Sequence, residues 1–319
     1  GKGRVNGETS VVKPVFDSSH AVAISQGLYP SYSEIDCYQM AGASIDTAVR
    51  NLVVTGVDID KIFLLDNFCW CSSNDPQRLY QLKKAAQACY DFAIIYETPF
   101  ISGKDSMFND FKGYDEKGNP VKISVPPTLL ISSIGIISDV LKTISIDVKF
   151  PGDLIYVLGE TKEELGGSEY FAMNNSVGNI IPKVDAQKNK KLYQNFYKAS
   201  QKQLISSAIS ITRGGLGVAL AKTSLAGKLG MEVFLNKLPG KVIRNDFTLF
   251  SESQGRILIT INPKNKKMFE KIMKENIIKE IGQVTENQQL IIKGLDNKVI
   301  VDLNLEKIEK AYKSVFKNY

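Results

Sequence analysis

Apolar residues recur along this chain with two different periods, and the changes between them mark its elements. Ile35, Tyr38, Ala41, Ile45, Ala48, Val49 and Leu52 return at steps of three and four, which predicts an amphipathic helix stopped by Gly56. That face is rich in small residues, so another backbone is expected to pack close to it. Asn74-Asp75-Pro76 reads as a cap followed by proline at the first helical position. A second helix to Tyr96 follows, with Leu79, Leu82, Ala86, Ala93 and Ile94 turned inward. Residues 186–209 read as a polar helix with Leu192, Phe196, Ala199 and Leu204 inward, and "TRGGLGVALAKTSLAG" as a glycine turn running into a helix. A Lys-rich helix from Pro263 and a last helix in "NLEKIEKAYKSVF" complete the set.

Between these lie short apolar runs of strand length: "VVKPVF", "HAVAIS", "KIFLLDNF", "PFIS", "LIYVLGE", "MEVFL" and "GRILITI". "TLLISSIGII" reads as a buried strand, and "FKGYDEKGNPVKIS" as a hairpin turning at Gly118-Asn119. Phe150-Pro151-Gly152-Asp153 marks a boundary. Strands and helices are mixed and hairpins are present. The order predicts an α+β chain in two subdomains, 1–150 and 151–319, rather than a doubly wound sheet.

Composition narrows the function classes. At 319 residues the chain is long enough for a sizeable core and two domains, and 43% hydrophobic with 23% charged residues is ordinary for a soluble globular protein. The net charge of +6 is spread out, with acids between the C-terminal lysines (Lys271, Glu275, Lys279, Glu280). That is the pattern of solvated faces, not of a nucleic-acid stripe. Residues 128–141 are the most apolar stretch, but Ser132, Ser133, Ser138 and Asp139 interrupt it and it is too short to span a bilayer. "GKGRVNGETS" has no apolar signal core. Cys37, Cys69, Cys71 and Cys89 come with no second pair or histidine cluster that would complete a zinc site. They are expected to be thiols in a reducing compartment. The expectation is a cytoplasmic protein with no membrane, nucleic-acid or metal-binding signature.

One stretch carries candidate chemistry. In "ETPFISGKDSMFND" an apolar run meets Ser102, Gly103, Lys104, Asp105 and Ser106. A glycine turn with a cation and a hydroxyl suits a phosphate group, because glycine lets backbone N–H groups approach an anion. It is not a P-loop, which needs G-x-x-x-x-G-K-[ST]. The same letters also fit a strand running out into a solvated turn.

Taken together, "DNFCW", "TPFISGKDS", "PPTLLIS", "GDLIYVLGET", "LGGSEY", "RGGLGVALA" and "LFSESQGR" resemble, in order and spacing, the phosphoribosylformylglycinamidine synthase family, from about Val11 to about Ile261. The match is to the synthetase part and more narrowly to the second, C-terminal of its two aminoimidazole-ribonucleotide-synthetase-like modules. The resemblance implies an ATP-dependent carbon–nitrogen ligase of purine biosynthesis that converts formylglycinamide ribonucleotide to its amidine with glutamine-derived ammonia. It implies an N-terminal sheet that forms half of a barrel with a partner module, a C-terminal α/β sandwich, and ligands at the module junction. It further implies that Lys104 is catalytic, that Gly103 and Ser106 contact nucleotide or substrate, and that Asp66, beside Asn67, touches the nucleotide or else caps a turn. The implied partners are the N-terminal homologous module, in the same chain or a separate subunit, and a glutaminase domain or subunit. A homodimer of the isolated chain is also expected. The start at "GKGRVNG" reads as that of an excised fragment or a cleaved half.

The chain departs from the family where magnesium is held. Three carboxylate positions read Gln26 on the early strand, Thr47 on the first helix with Asn51 one turn on, and Ser210 with Arg213 before the Gly-Gly turn. Asp36 and Asp46 are near in sequence, but a helix turns about 100° per residue, so Asp46 cannot replace position 47. ATP and Mg²⁺ are therefore expected in the complete enzyme and weakly or not at all in this module alone. His20 reads as a surface residue, Lys13 and Asp153 as ordinary structure, and Glu252, Ser253 and Gln254 as substrate-lining or turn-stabilising. The alternative to an enzyme part is a non-catalytic pairing module with a degenerate pocket.

Overall fold

The computed structural model describes residues 2–314. Its first part runs Thr9–Val12 (β1), Ala21–Leu28 (β2), Cys37–Thr55 (α1), Ile62–Cys69 (β3), Pro76–Tyr96 (α2), Phe100–Ser106 (β4), Asp110–Tyr114 (β5), Pro120–Ser124 (β6) and Thr128–Ile137 (β7). The second runs Leu154–Leu158 (β8), Glu169–Met173 (α3), Ala186–Gln201 (α4), Ser207–Ser210 (β9), Gly215–Gly227 (α5), Gly230–Phe234 (β10), Asn245–Phe250 (α6), Ile257–Ile261 (β11), Lys266–Ile272 (α7), Ile278–Thr285 (β12), Gln289–Lys293 (β13), Val299–Asn304 (β14) and Leu305–Lys313 (α8). This is a mixed α+β fold with two main sheets. One has the order β1-β2-β7-β3-β4, the other β14-β13-β10-β12-β8-β11-β9, and β5-β6 form a separate hairpin.

Helix α1 forms where its pattern requires. The Asp36 carboxylate accepts hydrogen bonds from the N–H groups of Tyr38 and Gln39, and Gly56 ends the helix in a left-handed conformation at φ 105°. Its small-residue face meets β2 backbone to backbone: a Cβ at Gly27 would lie 1.9 Å from the Ser44 carbonyl oxygen. Asp75 and Pro76 start α2 as the sequence predicts. The buried face of α2 differs from the expected one, being Ala85, Ala88, Phe92 and Tyr96, while Leu79, Ala86 and Ile94 are exposed. The reason is local. Gly42 on α1 leaves a socket for the Phe92 ring, and a Cβ there would sit 2.7 Å from it.

Three further expectations are corrected. Residues 186–209 are not one helix, because α4 ends at Gln201 and 207–210 pair with β11 as an edge strand. The Lys-rich helix is only seven residues long, and β12, β13 and β14 lie beyond it unforeseen. Lys271, Glu275 and Lys279 fall at steps of four, so a helical charge pattern runs on into the start of β12. The strand β7 is buried on one face only. Leu129, Ile131, Ser133, Gly135 and Ile137 alternate with residues of the other face.

That alternation divides the first sheet. Ala21, Ala23, Ser25, Leu64, Leu129 and Ile131 turn to the buried side, where α1 packs. The opposite face is open, and Val12, Ile24, Leu28 and Ile136 on it are between 38% and 54% exposed. The sheet is an open one. In the second sheet β8, β9 and β11 bury both faces, while the edge strand β14 is largely exposed. Tyr156, Leu158, Ile257 and Ile259 join the same core as α1, α2 and α4, whereas Ile155, Val157, Ile209 and Leu258 pack with Leu216, Ala219 and Leu220 of α5.

A buried polar network fastens the two sheets. Asp46 on α1 accepts from Tyr96 Oη of α2 (2.5 Å), Tyr193 Oη (2.7 Å) and Asn189 Nδ2 (2.9 Å) of α4, and the Gly255 N–H (3.2 Å). Arg50 pairs with Asp46 one turn away and donates to Gln254 Oε1 (3.2 Å) and the Ile211 carbonyl (3.4 Å). Both side chains are fully buried. Burial works to lower the Arg50 pKa, but the Asp46 carboxylate overrides it and holds the guanidinium above its ordinary value. Removing one partner strands a charge, so Arg50→Ala is expected to cost about 3–5 kcal/mol in urea unfolding. Asp46→Asn with Arg50→Met together should cost less than the single change. A double variant weaker than Arg50→Ala alone would contradict the reading of a paired buried charge.

Candidate functional site

The positions that the family resemblance marks for carboxylates converge. Gln26 of β2, Thr47 and Asn51 of α1, Ser210 of β9 and Arg213 line one pocket of about 310 Å³ at the start of α5. Thr47 and Asn51 sit one helical turn apart, so both face it. Gly214 (φ 78°) and Gly215 (φ 66°) swing the chain from β9 into α5, and a Cβ at Gly215 would fall 2.5 Å from the Leu249 carbonyl oxygen. No side chain caps α5.

The pocket wall is tied down by hydrogen bonds. Thr47 Oγ1 donates to Gln254 Oε1 (3.1 Å) and lies 3.0 Å from Tyr29 Oη. Asn51 Nδ2 donates to the Gln26 carbonyl (3.3 Å). Asn51 Oδ1 and Ser210 Oγ are buried with no partner. Arg213 Nε pairs with Glu169 (3.1 Å), and Lys222 pairs with Glu8 at the rim. Glu252 accepts from Tyr32 Oη (3.0 Å) and from the N–H groups of Glu169 and Gly214 (both 2.9 Å), and burial pushes its carboxyl up. Its carboxylate thus braces three loops behind the pocket. Ser253 Oγ accepts from the Lys162 N–H (3.0 Å).

Magnesium does not fit this donor set. Mg²⁺ takes hard, preferably anionic oxygens in octahedral geometry. The lining offers an amide oxygen, hydroxyls and a guanidinium, and its one carboxylate, Glu8, is held by Lys222. Asp36 caps α1 and Asp46 is consumed in the buried network. Among the described residues no three His, Cys, Asp or Glu side chains group to hold a metal.

The "SGKDS" residues lie elsewhere, on edge strand β4. The expected turn at Gly103 is absent because the strand runs straight through it. Gly103 serves a close approach instead: a Cβ there would lie 2.6 Å from Asp66 Oδ1, which also accepts from the Lys104 N–H (3.3 Å). Parallel register pairs Asp66 with Gly103, Asn67 with Lys104 and Cys69 with Ser106. Asp66 therefore shares the helix-side face with Leu64 and Phe68, and burial pushes its carboxyl up. Lys104 and Ser106 belong to the open face. The structure brings Lys104, Ser106 and Asn67 together there and turns Asp66 away. Among the described residues Lys104 makes no ion pair, and Ser106 Oγ donates to Asn109 Oδ1 (3.0 Å). Of the pair Asp66 and Asn67, the period-two alternation of Leu65, Asn67 and Cys69 puts Asn67 on the face of Lys104. His20 is exposed beside Ser18, the four cysteines are free thiols, and Asp153 is a buried carboxyl near Lys149 that burial pushes up.

No helix is long and apolar enough to cross a membrane among the described residues. Residues 151–294 match the family described as AIR synthase related protein, C-terminal domain. The chain is 32% identical to the phosphoribosylformylglycinamidine synthase subunit PurL of Methanocaldococcus jannaschii over 96% of its own length and 42% of that protein's. It is likewise 32% identical to the Methanococcus aeolicus subunit, over 96% and 41%. The chain thus spans about two fifths of the length of the curated relatives it matches. Among solved structures, Thermotoga maritima PurL complexed with FGAR aligns with a TM-score of 0.76 at 17% identity, over 95% of this chain and 48% of that one. The hydrogenase maturation protein HypE in complex with ATP aligns with a TM-score of 0.63 at 15% identity, over 90% and 87%. Over nearly its whole length the chain is a homologue of part of the phosphoribosylformylglycinamidine synthase subunit PurL, with an AIR-synthase-related C-terminal domain at residues 151–294.

Proposed function

We propose that this chain is the C-terminal synthetase module of a phosphoribosylformylglycinamidine synthase, and that its open sheet face forms one wall of a catalytic site completed by a homologous module. The carrying observation is an unpaired cation, Lys104, beside Ser106 and Asn67 on the uncovered face of a chain homologous to PurL over 96% of its length. In this reading residues 1–150 pair with the other module to close a barrel, residues 151–319 form the outer α/β layer, and a glutaminase domain or subunit supplies ammonia.

The chemistry explains the need for a cation. An amide oxygen is a poor leaving group. ATP transfers its γ-phosphoryl group to the oxygen of formylglycinamide ribonucleotide, ammonia attacks the activated carbon, and phosphate departs to leave the amidine. Phosphoryl transfer relies on positioning and electrostatics, so Lys104 would stabilise the shifting negative charge and Ser106 would donate a hydrogen bond to substrate. Gly103 would let Asp66 fasten the strand from behind. ATP with its Mg²⁺ would be held mainly by the partner module, since the pocket of this one lacks the carboxylates.

In the complete enzyme, Lys104→Ala should lower kcat/KM at least about a hundredfold, the scale for one electrostatic group in a water-poor site. Its melting temperature should stay unchanged, because the side chain is exposed. Full activity in that variant would favour the pairing-module reading. The isolated chain should release no phosphate from ATP with formylglycinamide ribonucleotide and ammonia, and substrate-dependent turnover by it would reject the shared-site proposal.

The open face also predicts association. Val12, Val22, Ile24, Ile134 and Ile136 form an apolar area that favours a second layer. Sedimentation at high micromolar concentration should show self-association of the isolated chain, abolished by Ile24→Glu with Ile134→Glu. A clean monomer in the unaltered chain would count against the pairing surface.

A further inference from the structure

We infer that the pocket at the start of α5 binds a phosphomonoester directly, without a metal ion, and that its carrier presents a hydroxyl to Asn51. Four observations converge there. Helix α5 has 13 residues and no side-chain cap; the Gly215 N–H is taken by the Thr212 carbonyl, and the N–H groups after it in the first turn present a positive dipole end. Ser210 Oγ is buried in the lining with no partner. Arg213, at the rim, spends only its Nε on Glu169, leaving the rest of the guanidinium fork for an anion. The one carboxylate in the lining, Glu8, is held by Lys222, so no free acid there would bring a metal.

The charge balance follows. A metal-bound triphosphate needs acids to hold the cation, whereas a phosphate dianion needs donors and a fixed positive charge. Glu8 is paired with Lys222, and Glu252 lies behind Gly214 with its oxygens taken by Tyr32 and two backbone N–H groups. Glu169 shares Arg213, so the anion competes with that carboxylate for the charge and uses the guanidinium N–H groups that Glu169 leaves free. Asn51 Oδ1 is a buried acceptor whose amide nitrogen is already committed to the Gln26 carbonyl. A phosphate oxygen cannot satisfy an acceptor, so the partner must be a donor on the carrier. A sugar hydroxyl meets that requirement.

The inference concerns binding and stands apart from the turnover proposed above. The test is calorimetric titration of the full 319-residue chain with ribose 5-phosphate, inorganic phosphate and ATP, each with EDTA and with excess Mg²⁺. Ribose 5-phosphate should bind in EDTA with an affinity that Mg²⁺ leaves unchanged, and more tightly than inorganic phosphate. Arg213→Ala should weaken it at least about tenfold, as expected for a lost charge-assisted hydrogen bond. Ser210→Ala should weaken it by a smaller factor, and Asn51→Leu should remove the advantage over inorganic phosphate. Melting temperatures serve to exclude misfolded variants, and Arg213→Gln replaces Arg213→Ala if the latter does not fold. Absence of binding by both phosphates, binding that requires Mg²⁺, or an unaltered affinity in a folded Arg213 variant would overturn the proposal. Equal affinity for the two phosphates would overturn the carrier contact.

Discussion

Most of this structure hangs on the pairing of Asp46 with Arg50 in a place without water. Two charges there are tolerable only if nearly every lone pair and proton finds a partner. The partners come from α1, α2, α4, the loop at Gln254 and Gly255, and the chain leaving β9. Satisfying them fixes where each of these elements can lie. The pocket inherits its shape from that network, because Thr47 and Gln254 are bonded both to it and to each other. A pocket with such a back wall holds its form independently of which donors line its front.

The open face of the first sheet has a different logic. Its rows change character along the strands. Val22 with Ile136, and Ile24 with Ile134 and Phe63, are apolar, while Gln26 with Ser132 and Asn67 with Lys104 are polar. An apolar end suits a covering layer, and a polar end beside it suits a ligand under that layer. The separation of Lys104 from Asp66 onto opposite faces follows from strand geometry alone, since neighbouring residues on a strand point to opposite sides.

Local signals in the sequence were strong where a single principle governed. The cap at Asp75, the stop at Gly56, the hairpin at Gly118 and the small-residue contact of α1 were all legible, because each is settled within a few residues, whereas Asp36 reads as lying inside the helix that it caps. The strands β12 to β14 were not. The four-residue steps of Lys271, Glu275 and Lys279 carry a helical pattern into β12, and β13 and β14 are short runs that only tertiary pairing identifies as strands. Gly103 was legible as a position needing glycine but not for the right reason, since the atom it makes way for is on a strand 37 residues earlier in the chain. Of the pocket, the positions were legible through family resemblance. Their convergence with the uncapped α5 and the orphaned Asn51 and Ser210 needed coordinates.

The continuity of the core across both sheets bears on how the chain comes apart. Residues of α1, α2 and α4 share one apolar cluster with strands β8 and β11. Neither sheet can lose its structure without exposing apolar surface belonging to the other, so their melting is coupled into one cooperative event. A protease cut near residue 150 would therefore leave two pieces that stay bound as a nicked whole. Separated, each would carry a raw surface where its neighbour had been.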